Sequence, residues 1–390
     1  MTEMPARLSE RPLLAVVHGT SGLFLGIGLA RFSFTPLIPL LIRDNWYTVT
    51  EAQLLGAWGL AGYLLGGLAA QHMARLLAPS LLSGLMATCI ALSFLVCSFP
   101  VSYPVASFWR LAANFAGAVL MVAGTAEASA RLNDMGAGSK AGLLFTGVGA
   151  GAVVSALLMP VFEASPVGQA SRALTLISAL TLVIHLWAGM LLPARPRRHL
   201  PSAAPRPGHA RKATLLVIFA YGMDAVGGTP HAVYLVDYAT REIGLSAGWG
   251  SLAWASFGFG AMAGPLVLSR LHPRMAFVAF LVKAASVALV SQTVWPPAFV
   301  LSAFTVGFCT PGIAVLVAKF IQGAAEPLGF IRSWAWATIM FALMQAVSAF
   351  TASWISDALQ SYKPVFLISS MALVIGAIAY LTAARSLEGR

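Results

Sequence analysis

Long apolar runs separated by short polar segments follow one another along almost the whole chain. A helix needs about 20 mostly apolar residues to cross a bilayer, and twelve runs of that size leave no room for a soluble domain. Short connections and turn residues mark where one run ends and the next begins. The pattern predicts spanning helices over 13–42, 51–71, 79–99, 102–130, 140–162, 171–192, 214–240, 246–269, 275–293, 297–321, 328–355 and 364–384.

Composition supports this interpretation. Of the 390 residues, 58% are hydrophobic and only 9% are charged, whereas an ordinary soluble domain is about 25% charged. Mean hydropathy is +0.82. A soluble fold could not cover so much apolar surface with polar groups, but a bilayer accepts apolar side chains. We therefore expect an all-α integral membrane protein with about twelve transmembrane helices.

The basic residues occupy alternate connections between the predicted helices. If the N-terminus is cytoplasmic, the even-numbered connections and both termini hold most of the arginines and lysines. The connections on the other side then hold only Arg43, Arg172, Arg241 and Lys363. This positive-inside bias predicts a multi-pass protein of the cell inner (cytoplasmic) membrane with both termini cytoplasmic. It explains the net charge of +11 through contact with the lipid bilayer, without nucleic acid as a partner.

One connection differs from the rest in length and composition. Residues 193–213 are rich in proline and arginine and poor in apolar side chains. They are expected to form a flexible cytoplasmic linker. The chain is thereby divided into an N-terminal six-helix half, 1–192, and a C-terminal six-helix half, 214–390.

The two predicted halves share a weak internal repeat. The matched positions are Gly28, Thr35 and Pro36 with Gly222, Thr229 and Pro230, and, after a small adjustment, Ala57-Trp58 with Ala253-Trp254 and Gly62 with Gly258. Duplicated halves are typical of secondary transporters, whose substrate site lies near the midplane between them. The repeat therefore predicts two pseudo-symmetric halves that rock to give alternating access.

Four segments resemble one branch of a transporter superfamily. Residues 26–39, GIGLARFSFTPLIP, resemble the first-span signature G-x-G-R-F-x-Y-T-P-L-x-P of the YbfB/YjiJ-type branch of the major facilitator superfamily. Residues 57–66, 147–151 and 341–346 resemble its second, fifth and eleventh spans. The resemblance implies a twelve-helix fold, an inner-membrane location and secondary transport, and it names no substrate. The acidic residue of the superfamily signature between spans two and three is absent from 71–75.

Charged side chains inside predicted spans are the first candidates for a transport site. Each costs at least about 2.5–3.5 kcal/mol to insert at the bilayer centre, so such residues usually face a cavity or a partner. Arg31, the arginine of the family signature, is expected to bind an anionic substrate group or to pair with a neighbouring helix. Arg110 resembles the fourth-span arginine of proton-coupled superfamily members and is expected to serve substrate binding or coupling, with packing as the alternative.

Asp224 is the candidate for proton coupling, because an apolar surrounding favours the protonated carboxyl group. It lies one position from Arg31 in the repeat, so a permanent ion pair between the two is an equal alternative. His231, Asn114 and Gln345 are further candidates for substrate binding, with packing or interhelical hydrogen bonding as the alternative. Lys283, in contrast, is expected to snorkel or to contact a neighbouring helix.

These features favour a secondary active transporter that moves a small solute, with protons as the coupling ion. Arginine and lysine outnumber acidic residues in the spans, which favours a small organic anion. Efflux of an amphiphilic drug or metabolite is the alternative, supported by the many aromatic residues. The sequence holds no P-loop and no metal-ligand motif, so neither a cofactor nor an enzyme activity is expected. The superfamily resemblance implies a monomer.

Overall fold

The structure is a computed structural model that describes residues 6–193, 209–324 and 327–388. It is all-helical, and in the part described it contains 12 helices that are long and apolar enough to cross a membrane. They are α1 (Pro12–Arg43), α2 (Val49–Leu76), α3 (Pro79–Val96), α4 (Tyr103–Asp134), α5 (Lys140–Leu158), α6 (Val167–Leu191), α7 (Lys212–Glu242), α8 (Ala247–Leu268), α9 (Pro273–Gln292), α10 (Pro296–Gly323), α11 (Ser333–Leu359) and α12 (Lys363–Ser386). The twelve-helix prediction is confirmed. Most of the predicted linker, 194–208, lies outside the described residues.

The helices alternate in direction because short connections join their neighbouring ends. Residues 6, 193, 209 and 388 consequently lie at one end of the bundle, which we name the terminal end. The opposite end, where α1 joins α2 and α7 joins α8, is the distal end. Helical structure continues beyond several of the membrane-length segments, for instance from Ala6 into α1 and from Pro327 into α11.

Local sequence explains where helices begin. Thr48 caps α2 with a capping box, in which its side chain accepts the Glu51 amide proton and the Glu51 carboxylate accepts the Thr48 amide proton. Pro79 occupies the first turn of α3, where its missing amide proton is not needed. The tight turn between α1 and α2 places Asn45 at a φ of 55°, a left-handed conformation that asparagine tolerates.

In each half, a pair of glycines brings two helices into backbone contact, and the helices involved are equivalent in the two halves. A Cβ atom on Gly62 or Gly66 of α2 would lie 2.1 or 2.2 Å from a carbonyl oxygen of α4. Gly260 and Gly264 of α8 approach α10 in the same way, at 2.3 and 2.0 Å. Such small-xxx-small pairs allow close helix packing in membranes. By this packing Gly62 corresponds to Gly260, two positions from the predicted partner Gly258, which instead faces α5.

Three of the long helices contain π-helical segments that the hydrophobic pattern did not predict. They are Phe24–Leu29 in α1, Leu120–Gly124 in α4 and Tyr238–Glu242 in α7. A π segment carries an extra residue in a helical turn, shifts the register of the following residues and is frequent at functional sites. In α1 the segment ends directly before a turn over residues 30–33, and this turn carries Arg31.

Candidate interfacial anion site

Two glycines of the family-like signature fix the position of α1. A Cβ atom on Gly26 would lie 2.9 Å from the Gly117 backbone of α4, and one on Gly28 would lie 2.7 Å from the Gly147 carbonyl oxygen of α5. Any larger side chain would push α1 away from these helices. The G-x-G pattern therefore holds α1 against α4 and α5 and places Arg31, three residues later, at a defined point between the two halves.

Arg110 and Asn114 of α4 converge on the turn that carries Arg31. The Arg110 Nη1 donates to the Ala30 carbonyl oxygen at 2.7 Å, and the Asn114 Nδ2 lies 3.3 Å from the same oxygen. Gly59 of α2 makes room for both groups, since a Cβ atom there would lie 3.0 Å from the Asn114 Nδ2 and 3.1 Å from the Arg110 Nη2. The Arg110 guanidinium also lies over the Phe34 ring, 4.1 Å from its centre.

Arg31 has aromatic neighbours instead of a carboxylate. Its guanidinium carbon lies 5.0 Å from the centre of the Tyr63 ring and 5.5 Å from that of Phe32. Among the described residues, no aspartate or glutamate lies within 4.0 Å of Arg31 or Arg110. The buried Arg110 Nε likewise has no hydrogen-bond partner there. Both guanidinium groups thus retain N–H donors from which an anion could accept hydrogen bonds.

A small cavity of about 20 Å³ joins these groups to the second half of the chain. It is lined by residues of α1, α2, α4 and α7, including Arg31, Thr35, Arg110, Asn114 and Thr229. The volume is close to that of one water molecule. The structure therefore brings three predicted site residues, Arg31, Arg110 and Asn114, to one place between the halves.

Asp224 pairs with Lys283, and the suggested ion pair with Arg31 is wrong. The Lys283 Nζ of α9 donates to the Asp224 Oδ1 of α7 at 2.8 Å, and neither side chain is exposed. Gly228 provides the space for this contact, because a Cβ atom there would lie 2.7 Å from the Lys283 Nζ. Lys283 does not snorkel, since it turns inward and neutralises a carboxylate inside the second half.

His231 and Gln345 do not line the interfacial cavity. The Ser302 hydroxyl donates to the Ser286 carbonyl oxygen at 2.5 Å, so its oxygen accepts the proton of His231 Nε2 at 2.8 Å. His231 is therefore hydrogen-bonded inside the second half. Gln345 is buried in α11, and its Oε1 has no hydrogen-bond partner among the described residues. Its neighbour Ala346 packs in a cluster with Ala57 and Leu60 of α2.

Several hydrogen bonds between the first six and the last six helices lie in the distal half of the bundle, and we name this group of contacts the distal seal. Gln53 of α2 is central to this distal seal. Its Nε2 donates to the Tyr362 hydroxyl at 2.7 Å, and its Oε1 accepts from Ser353 and Ser356 at 3.1 and 3.2 Å. The Tyr362 hydroxyl in turn donates to Asp237 at 2.6 Å.

The same interface is closed nearer the midplane by helix α1. The Thr35 hydroxyl donates to the Ala232 carbonyl oxygen of α7 at 2.8 Å, and the Trp254 indole of α8 donates to the Phe32 carbonyl oxygen at 3.1 Å. These contacts lie on the distal side of Arg31. The two arginines thus lie directly beneath a closed seal, on an interface between two six-helix sets.

A comparison with known protein families identifies the chain. The profile of the family described as "Uncharacterised MFS-type transporter YbfB" matches residues 23–381. The chain belongs to this MFS family. The suspected branch is confirmed, and the chain is a multi-pass membrane transporter. No curated protein sequence matches it.

Solved structures share the fold of this chain. A bacterial homologue of the human lysosomal transporter Spinster, solved in an inward-facing and unoccupied conformation, has a TM-score of 0.74 at 13% identity, covering 100% of this chain and 99% of that one. A point mutant of the nucleoside transporter NupG has a TM-score of 0.71 at 14% identity, covering 96% of this chain and 99% of that one. At these identities the likeness shows the fold alone.

Proposed function

We propose that this MFS transporter carries a small organic anion, whose acidic group binds Arg31 and Arg110 between the two halves. The observation that supports this most is the pair of guanidinium groups beneath the distal seal without a carboxylate partner in the described chain. Buried charges in a membrane are costly unless they are paired. A substrate carboxylate would supply the missing partner, and the planar guanidinium favours bidentate binding.

On the basis of the positive-inside bias, we propose that the terminal end faces the cytoplasm and that the distal end lies at the outer face of the inner membrane. The hydrogen bonds of Gln53 and Thr35 would then hold the two halves together on the outer side of the arginines. Rocking of the halves would break the contacts of Gln53 and Thr35 and expose the arginines to the other side.

Asp224 is the proposed proton-coupling residue, with Lys283 as its partner. The Asp224 Oδ2 has no hydrogen-bond partner among the described residues, although the Oδ1 accepts from Lys283. Protonation of this carboxyl group would remove its attraction for Lys283 and alter packing between α7 and α9. A proton gradient would act through this rearrangement on α7, which also lines the interfacial cavity.

The function is tested by uptake into proteoliposomes with an imposed pH gradient, screened over small carboxylates. We expect gradient-driven uptake of an anion by the wild type and loss of that gradient dependence in Asp224→Asn. Equilibrium exchange of the same anion, which needs no net proton movement, should persist in Asp224→Asn. Transport of cations or neutral solutes alone would contradict the anion assignment, and unchanged gradient dependence in Asp224→Asn would contradict the coupling assignment.

Efflux of an amphiphilic compound is a second candidate, supported by an aromatic cluster on the second half. The Tyr221 ring stacks on Phe341 at 4.4 Å and on Trp334 at 6.0 Å between ring centres. In the same proteoliposomes, aromatic amphiphiles are offered at the terminal face of the protein. Their transport from that face to the distal face, without dependence on Arg31, would favour efflux over anion uptake.

A further inference from the structure

A second, larger cavity of about 460 Å³ lies within the first six helices, near the terminal end. Its walls come from α1, α2, α3, α4 and α6, and neither Arg31 nor Arg110 lines it. Apolar side chains and backbone, among them Ala70, Leu82 and Val119, form its interior. Its volume falls within the range of small-molecule sites, roughly 300–1,000 Å³. This internal cavity is therefore separate from the interfacial site.

The backbone of α4 explains why the cavity exists. Helices α2 and α4 touch at Gly62 and Gly66, but beyond these contacts α4 enters the π-helical segment Leu120–Gly124. After it, the last helical turns of α4 pack against α1 and the start of α5. Residues 120 and 122–124 line the cavity directly. The register shift of the π segment thus coincides with the space between the two helices.

The rim of the cavity carries charges of both signs with an excess of positive charge. Arg75 of α2 is exposed, and Arg131 of α4 is bound to Glu127 at 2.9 Å and to the Pro193 carbonyl oxygen at 2.7 Å. Glu127 neutralises one of the two arginines, so Arg75 provides the excess. His18 adds a polar group on the wall, stacked on His185 with ring centres 4.1 Å apart.

An apolar interior with a basic rim fits an amphiphile of one specific kind. We propose that the internal cavity binds the alkyl chain of an anionic amphiphile, with its acidic head group at Arg75. The chain would fill the space between α2 and α4, and the head group would remain at the level where the helices leave the bilayer. Two sources share this chemistry, a free fatty acid and an anionic phospholipid.

The test is equilibrium binding of radiolabelled palmitate and phosphatidylglycerol to the purified full-length protein in detergent, with methyl palmitate as the uncharged probe. Gly124→Leu fills the cavity without a backbone clash, because the closest atom to a Cβ there is 3.7 Å away. Gly67→Leu is the matched control, since a Cβ on Gly67 meets nothing within 4 Å and this residue does not line the cavity. Arg75→Gln removes the excess charge, and Arg385→Gln is its control at the same end of the bundle.

We expect one saturable site per chain, at least tenfold weaker binding in Gly124→Leu, and several-fold weaker binding in Arg75→Gln. Both controls should stay within twofold of the wild type. Tighter binding of palmitate or of phosphatidylglycerol identifies the source. Should Gly124→Leu fail to fold, Ala74→Leu on the opposite wall replaces it. Wild-type affinity in a folded filling variant, or equal affinity for methyl palmitate, would overturn the proposal.

Discussion

Arg31 of α1 and Asp224 of α7 occupy neighbouring positions in the internal repeat, yet their side chains have different surroundings in the two halves. Arg31 in the first half lies at the interface, among aromatic rings, with no carboxylate partner among the described residues. Asp224 in the second half turns into its own six-helix set and pairs with Lys283, completely buried. In the described chain, the first half thus leaves its charge without a carboxylate partner, whereas the second half neutralises its charge internally.

The internal repeat preserves the depth of equivalent residues but not the direction of their charged neighbours. Thr35-Pro36 of α1 and Thr229-Pro230 of α7 keep their equivalent depth, and both threonines line the interfacial cavity. The direction of a neighbouring charged side chain depends on single residues in the adjacent helices. Gly228 leaves space for the Lys283 ammonium group, and Gly59 of α2 leaves space for the Arg110 guanidinium group.

Breaking the buried pair should produce the largest loss of stability. Lys283→Met leaves the Asp224 carboxylate without its cation, which typically costs about 3–5 kcal/mol when a buried partner is removed. The double variant Asp224→Leu/Lys283→Met should recover most of this loss. Unfolding in detergent measures the change, with the exposed Lys363→Met as the control. A single variant as stable as the wild type would show that the pair is not a structural element.

Removing the interfacial cation should affect transport more than stability. Arg31→Gln loses charged hydrogen bonds to the substrate, worth about 1.5–3 kcal/mol, or roughly a 10–100-fold loss of transport. Arg31→Lys should retain part of the activity, because it keeps the charge but not the bidentate geometry. Uptake and thermal stability are measured on the same preparations. If Arg31→Gln is destabilised as strongly as Lys283→Met, Arg31 has a structural partner, and the proposed difference between Arg31 and the Asp224–Lys283 pair is wrong.

A methyl group at Gly59 tests the same site with a smaller change. Gly59→Ala places a carbon about 3 Å from the polar ends of Asn114 and Arg110, so both must shift by a few tenths of an ångström. We expect a several-fold increase in KM for the anion with little change in stability. Gly67→Ala in the same helix, with open space around its Cβ, should behave as the wild type. Equal KM values in both variants would place the substrate elsewhere.

A charge pair outside the bilayer should give the smallest effect. Asp44 accepts from Arg43 Nε at 2.7 Å and from the Val167 amide at 2.6 Å. The hydrogen bond from Arg43 lowers the pKa of Asp44, so its stabilisation is present above the pKa of the unfolded carboxyl group and is lost as the pH falls through the lowered value. Asp44→Asn should cost less than about 1 kcal/mol, measured by unfolding at pH 7 and pH 3. A loss of unfolding free energy as large as that of Lys283→Met would show that burial does not distinguish the two charge pairs.

The sequence predicted the fold better than the partners within the site. Helix ends agree closely, as in the first span, predicted as 13–42 and observed as Pro12–Arg43, because a bilayer imposes one length and one polarity on every span. Arg31, Arg110 and Asn114 were also predicted as candidates and do converge. The Asp224–Lys283 contact was missed because it depends on which faces of α7 and α9 meet. The π segments were missed because apolar residues continue through them without a break.

The proposed mechanism has the anion bind to the interfacial arginines and not to the buried pair. Equilibrium binding of a transported anion, compared between Arg31→Gln and Asp224→Leu/Lys283→Met at one pH, tests it most directly. We expect about 10–100-fold weaker binding in Arg31→Gln and wild-type affinity, within about twofold, in the double variant. Full affinity in Arg31→Gln together with lost binding in the double variant would contradict it.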